Sequence, residues 1–221
     1  MMFWKKRQLP YETYRDQPLN TPLADLRFTV FDTEATGFAV GGHDRLIEIG
    51  AVHIEGFNVT DRTFQTFVDP GRDIPARITE LTGITEKDVA GAPDALEAID
   101  QFHAFAADND NTAWAAHYMA FDMLVLKKEL QRHKHSFREP LAIDTLDLIG
   151  CIAPSWDMRD LQHYALNFGT NIYDRHSALG DALTTAHLFV ELLRYLEARG
   201  KTTLGDILDA VRTEGSTKAL Q

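Results

Sequence analysis

The chain has 221 residues, 44% of them hydrophobic, which is enough for one full core. Its formal net charge of −11 argues against a general nucleic-acid binder, which presents a basic field, but leaves room for an enzyme whose site needs carboxylates. The single Cys151, best read as a small buried hydrophobe, excludes an internal disulfide framework; with no stretch apolar enough for a membrane span, a cytoplasmic location is expected.

In chain order, residues 1–25 carry Pro10, Pro18 and Pro22 among mixed polar residues and read as an irregular arm. Its start lacks the ordering of a secretory signal, and Lys5-Lys6-Arg7 reads as a solvated cluster rather than a nucleic-acid contact. Strands are expected near Phe28–Thr33, Leu46–Ile54 and Arg62–Val68, with Gly41-Gly42 in a loop between the first two. Next come a helix at Asp94–Ala107, a strand at Thr112–Ala116, a helix at Met119–Arg132 and a short strand at Leu141–Ile143. Asp144 stands where an N-cap for a helix at Thr145–Ile152 belongs, and helices follow near Asp160–Asn167, Ala178–Ala198 and Thr203–Arg212. Three strands followed by alternating helices and strands predict an α/β fold, a mixed sheet with helices on its faces. No linker or repeat splits the chain, so residues 26–200 are expected as one domain and 201–221 as a C-terminal helix and tail.

Asp32 and Glu34 end the first strand. Two residues apart, they project from the same face, and like charges that close repel unless a proton or cation lies between them. Carboxylate oxygens suit Mg²⁺ or Mn²⁺. An Asp opening a turn beside an unrelated Glu would leave the same trace. Two further segments shift the balance. His117-Tyr118-Met119-Ala120-Phe121-Asp122 carries Asp122 from a strand end into a helix, and His176-Ser177-Ala178-Leu179-Gly180-Asp181 opens the long helix near the C-terminus.

These three segments, in this order, resemble the motifs of the DnaQ-like (DEDDh) 3′→5′ exonuclease family. The stretch Leu46-Ile47-Glu48-Ile49-Gly50-Ala51-Val52 is similar to the family's second strand. Leu81-Thr82-Gly83-Ile84-Thr85 followed by Ala92-Pro93 is similar to its linker into a helix, and Ile143-Asp144-Thr145-Leu146 to another family tetrad. The resemblance covers roughly Phe28 to Tyr195 and is strongest to the proofreading, polymerase-associated branch of the family, the epsilon subunits of bacterial DNA polymerase III. Two positions depart from the pattern: Ala35 stands where Thr is usual, and Tyr118 where Asn is usual. Neither removes a metal ligand, but Tyr118 bears on specificity.

The resemblance implies a ribonuclease H-like fold and a phosphodiester hydrolase working with two divalent cations, Mg²⁺ or Mn²⁺, about 3.5–4 Å apart. It implies that Asp32 bridges both ions, that Glu34 and Asp181 hold the nucleophile-side ion, and that Asp122 helps hold the second. His176 would be the general base, since imidazole titrates near neutrality; a helix-flanking surface histidine is the plain alternative. Phe38 would stack on the terminal base or lie in the core beneath its turn, Tyr118 would touch the substrate, and backbone groups of Ala35 and Thr36 would lie near the terminal sugar. His117 is expected to be structural and Glu48 a carboxylate paired locally; His133 and His135 suit no closed zinc set. The implied function is a 3′→5′ exodeoxyribonuclease acting on single-stranded or frayed DNA ends, with a DNA polymerase as possible partner. Its alternatives are an exoribonuclease of the same superfamily and a noncatalytic nucleic-acid-binding module, although a binding module has no need of four clustered carboxylates.

Overall fold

A computed structural model describes residues 7–156 and 160–218, side chains within the last helix being described through residue 212. Lys5 and Lys6 of the basic cluster, and the last three residues of the tail, lie outside the described residues.

Five strands form the sheet, β2 (Arg27–Ala35), β3 (Leu46–Glu55), β4 (Asn58–Phe67), β5 (Ala113–Ala116) and β7 (Ala142–Asp144), in spatial order β4-β3-β2-β5-β7. The first three pair antiparallel, whereas β5 joins β2 and β7 joins β5 in parallel after helical crossovers. Helices α1 (Ala76–Thr82), α2 (Glu86–Val89) and α3 (Ala95–Ala107) precede β5, and α4 (Met119–Arg132) follows it. Beyond β7 come α5 (Thr145–Ile152), α6 (Leu161–Phe168), α7 (Ala178–Glu197) and α8 (Leu204–Lys218).

Strand alternation divides the core in two. Phe28 and Val30 of β2, Val52 and Ile54 of β3, and Ala113 and Ala115 of β5 meet Phe189, Leu192 and Leu193 of α7. The opposite parity, Phe31, Ile49, Ala51, Trp114 and Ala116, meets Phe102 of α3 and Leu126 of α4. Even-numbered residues of β2 therefore face α7. Asp32 and Glu34 share that parity, so the fold itself aims both at the start of α7.

The arm expected as irregular packs against the body of the chain where it is described. β1 (Arg7–Gln8) pairs in parallel with β6 (His135–Ser136), Leu9 and Leu23 are buried, and Leu23–Asp25 forms a 3-10 turn. The segment read only as a linker around Leu81–Thr85 holds α1 and α2, which bury Ile78 and Val89 in a satellite cluster with Ile47, Ile74 and Ile84. Gly83 at φ 76° ends α1 in the left-handed conformation that favours glycine, and a Thr85–Asp88 capping box opens α2. Among the described residues no helix is long and apolar enough to cross a membrane.

Candidate active site

At the end of β2 the register sets Asp32 opposite Gly50 and Glu34 opposite Glu48, with an irregularity after Glu34. The start of α7 descends onto this corner because Gly50 has no side chain. A Cβ there would lie 2.1 Å from the backbone nitrogen of Leu179 and 2.2 Å from the carbonyl carbon of Ala178. Glu48 completes the attachment: buried, it accepts the N–H of Ala178 at 2.8 Å and the side-chain amide of Gln65 at 2.6 Å.

That attachment brings His176 and Asp181 to Glu34. One ligand atom from each of the three lies within 4.8 Å of the others. His176 sits at φ 62°, a conformation that costs a non-glycine residue of order 1–3 kcal/mol and persists only where its surroundings enforce it. Here Asp181 enforces it, accepting the His176 N–H at 3.1 Å through Oδ2. Its other oxygen, Oδ1, accepts from the guanidinium of Arg175. Asp181 also lies in the first turn of α7, where the helix dipole favours negative charge.

Asp122 reaches the same corner from the other layer. Tyr118, at φ 63°, turns the chain from β5 into α4, and Asp144 secures the turn by accepting the N–H groups of Tyr118 (3.3 Å) and Met119 (3.0 Å). Asp144 also accepts from Leu146 and caps α5, so its role is structural, as the sequence suggested. One turn into α4, buried Asp122 accepts both the N–H (2.9 Å) and the hydroxyl (2.6 Å) of Thr33, the residue between Asp32 and Glu34.

The cluster is electrostatically costly without a cation. Burial, followed by Asp122 and Glu34, holds the Asp32 carboxyl well above the usual carboxylate range. Burial, followed by Asp181, raises Glu34 to about 8, while Arg175 works in the opposite direction. Asp122 is pushed by burial to about 7 even though Thr33 donates to its charged form. Glu48 is raised by burial too, against the pull of Ala178 and Gln65. Glu34, Asp181 and the His176 imidazole, with Asp32 and Asp122 electrostatically coupled beside them, form a donor set suited to hard divalent cations, and the mutual repulsion is what such cations relieve.

The candidate substrate-contacting residues divide by exposure. Ala35 and Thr36 are buried; the Thr36 N–H donates to the Arg45 carbonyl and its hydroxyl to Asp44, so neither of these groups is offered to a ligand. Phe38 is 83% exposed, which removes the core alternative, and it touches only the rim of Phe121 at 5.7 Å between ring centroids. Its loop is held rigidly: Asp44 accepts the Ala39 N–H, Arg45 forks onto buried Glu129, and Arg132 donates to the carbonyls of Val40 and Gly42. Tyr118 is 41% exposed beside His117, whose Nδ1 lies 2.6 Å from the Thr145 hydroxyl, in keeping with a structural role for that histidine. Glu48, read as merely local, and Arg175, not singled out from the sequence, both belong to the site. A cation directly before the His176 motif was the only trace of Arg175.

The Exonuclease family model (RNase_T) matches residues 29–189. The chain is 39% identical over 198 residues to the DNA polymerase III subunit epsilon-like protein of Rhodobacter capsulatus, which covers 88% of this chain and 28% of that relative. It is 35% identical over 193 residues to the DNA polymerase III subunit epsilon of Aquifex aeolicus, covering 87% of this chain and 92% of that one. The chain thus spans a minor part of some relatives, including 11% of a PolC-type DNA polymerase III from Clostridium perfringens. Among solved structures, the nuclease domain of 3′hExo, a DEDDh family member bound to rAMP, superposes with a TM-score of 0.69 at 17% identity, over 82% of this chain and 95% of that one. Exonuclease X in complex with 5′ overhanging duplex DNA gives 0.65 at 21% identity, over 83% of this chain and 99% of that one. These likenesses show a ribonuclease H-like fold. With the family model matched over most of its length and a relative of similar size at 35% identity, the chain belongs to the DnaQ-like (DEDDh) 3′→5′ exonuclease family.

Proposed function

We propose that this chain hydrolyses the terminal phosphodiester at the 3′ end of single-stranded or frayed DNA, releasing nucleoside 5′-monophosphates with the help of two Mg²⁺ or Mn²⁺ ions. The observation that carries this is the meeting of Glu34 and Asp181 with His176 on the α7 face of the sheet, with Asp32 electrostatically coupled to both carboxylates, while Thr33 ties Asp122 to the same strand from the other layer. When bound, the cations neutralise the phosphoryl oxygens and lower the pKa of water.

The protein's own groups supply the rest. Asp32, Glu34, Asp122 and Asp181 hold the ions, and the capped turns behind Asp122 and Asp181 fix their orientation. His176, partly exposed at the mouth of α7, takes the proton of the attacking water. The water oxygen forms the new bond to phosphorus, the bond to the 3′ oxygen breaks, and that oxygen takes a proton from solvent and leaves as the hydroxyl of the shortened strand. Phe38, exposed on a rigid loop, offers a face for the terminal base, and Tyr118, also exposed, offers a second ring at the start of α4.

Residues 26–200 are proposed as the catalytic unit, with the arm (1–25) and the last segment (201–221) packed on or flanking it. The names of the relatives support a DNA polymerase as partner, and a cytoplasmic setting is proposed with it. Incubation with end-labelled DNA and RNA oligomers, with and without Mg²⁺ or Mn²⁺, tests the proposal. Stepwise cation-dependent shortening of DNA from the 3′ end is expected; no shortening of either polymer would overturn it, and faster shortening of RNA would assign an exoribonuclease instead.

A further inference from the structure

Arg175 is a cation set within the acidic corner. Its side chain is only 23% exposed, and one guanidinium nitrogen contacts Oδ1 of Asp181 while the other lies 3.8 Å from Oδ2 of Asp160, the N-cap of α6. The Oδ2 of Asp181 accepts the His176 N–H and Oδ1 accepts from Arg175, so both oxygens already carry a contact. The guanidinium and a divalent cation on Glu34, His176 and Asp181 would therefore address the same carboxylate. Like charges at that separation in a partly desolvated site repel strongly. Asp160 gives the guanidinium somewhere to go, since it is within ion-pair reach without any shift of the backbone and is half exposed.

We infer that Arg175 is a positioning residue that competes with divalent cations for Asp181. It neutralises the cluster when cations are scarce, and its displacement toward Asp160 accompanies their binding. This rests on the proposed cation site. Arg175 thereby sets the cation concentration at which the site loads, and its charge also lowers the Glu34 carboxyl against the surrounding acids.

The test is Mn²⁺ titration calorimetry on the full chain, paired with thermal unfolding in EDTA. Arg175→Gln is expected to bind Mn²⁺ at least about fivefold more tightly than the wild type, in the range usual for coupled sites, and to unfold at lower temperature in EDTA. Arg175→Lys should fall between the two, and Asp160→Asn, which removes the second anionic partner, should weaken Mn²⁺ binding. A purely structural arginine would give weaker binding in Arg175→Gln. That result, or equal binding, overturns the inference while leaving the cation site standing. Failure of the wild type itself to bind Mn²⁺ would overturn both.

Discussion

The Glu48 carboxylate accepts the backbone N–H of Ala178 at 2.8 Å across 130 residues of chain. This bond fastens the first turn of α7 to β3, and with it the separation between Glu34 and the His176–Asp181 pair. Glu48→Ala would strand the buried Ala178 N–H, a loss of roughly 1–3 kcal/mol. Because a displacement near 1 Å at reacting groups can cost about 10²-fold, turnover should fall steeply as well. Glu48→Gln, which keeps an acceptor oxygen, should retain most of the stability. Denaturant unfolding and initial rates on both variants check this; equal stability of Glu48→Ala and wild type would show that the bond does not hold the helix.

Gly50 makes the same junction possible by steric means. Gly50→Ala places a methyl against the Ala178–Leu179 backbone, with no flexible side chain to yield. Overpacking of this kind costs roughly 1–3 kcal/mol or more. The loss of stability should come with loss of activity, because relief requires α7 to back away from β2. A folded Gly50→Ala protein with wild-type turnover would contradict the placement of α7.

Much of this was legible in the sequence and some of it was not. Apolar periodicity gave Met119–Arg132 to the residue, and the strand carrying Asp32 and Glu34, because long patterned segments bury one face and so display it. The Asp144 cap was legible because capping is local chemistry. The helices α1 and α2 were not, since a seven-residue and a four-residue helix hold too few turns to show a period. Glu48, Gly50 and Arg175 act through neighbours distant in sequence or through backbone atoms. Such contacts leave no spacing signal: Glu48 reads the same on a strand whether its partner is a surface lysine or the N–H of a helix 130 residues away.

The raised carboxyl groups make a prediction about pH. Glu34 moves from its ordinary 4.5 to about 8 and Asp122 from 3.8 to about 7, each chiefly by burial. A carboxyl raised on folding contributes stability that is present below its unfolded value and lost as pH rises through the folded one. Buried His53 and His103 run the opposite way: burial lowers both to about 4, so their contribution is complete above 6.5 and lost on acidification. Between pH 6.5 and about 8 only the carboxyl effect remains, so stability in EDTA should fall across that window. Saturating Mg²⁺ should abolish the slope, and Glu34→Gln should flatten it. Urea unfolding at stepped pH measures it; a rise across the window would refute the assignment of these groups as mutually repelling.

Single replacements of Asp32, Glu34 or Asp181 by Ala should each abolish hydrolysis, but their effects on stability should differ. Asp32→Ala and Glu34→Ala remove like charge from the cluster and should raise stability in EDTA. Asp181→Ala instead deprives Arg175 and the His176 N–H of their acceptor and should lower it. Melting temperatures of the three variants separate these cases, and near wild-type turnover in any one would displace that residue from the site.

His176 combines a reactive side chain with a left-handed backbone held by Asp181. If it accepts the proton of the attacking water, His176→Ala should lower turnover by about 10²–10⁴-fold while cation binding largely persists. Calorimetry with Mn²⁺ alongside single-turnover rates distinguishes this from a ligand role. Lost cation affinity, with chemistry restored by excess Mn²⁺, would make His176 a ligand rather than a base.

The choice between DNA and RNA turns on the rim rather than the cluster. Proteins tell the two sugars apart chiefly at the 2′-OH, and Thr36, the nearest hydroxyl on β2's exit, is buried with that hydroxyl committed to Asp44. What faces outward is aromatic: Phe38 at 83% exposure, backed by Phe121, and Tyr118 at 41%. Stacking on such rings is worth roughly 1–3 kcal/mol per base and tolerates any base. Phe38→Ala should therefore raise KM by about 5–150-fold on both polymers and change kcat much less, because the ring holds the strand without touching the reacting atoms. The ratio of DNA to RNA rates should survive the substitution. Matched single-stranded oligomers, assayed side by side with wild type and Phe38→Ala, read both quantities at once. DNA is expected to be degraded faster than RNA or duplex, and a shift of the DNA-to-RNA ratio in Phe38→Ala would place sugar discrimination on that ring instead of on the backbone beneath it.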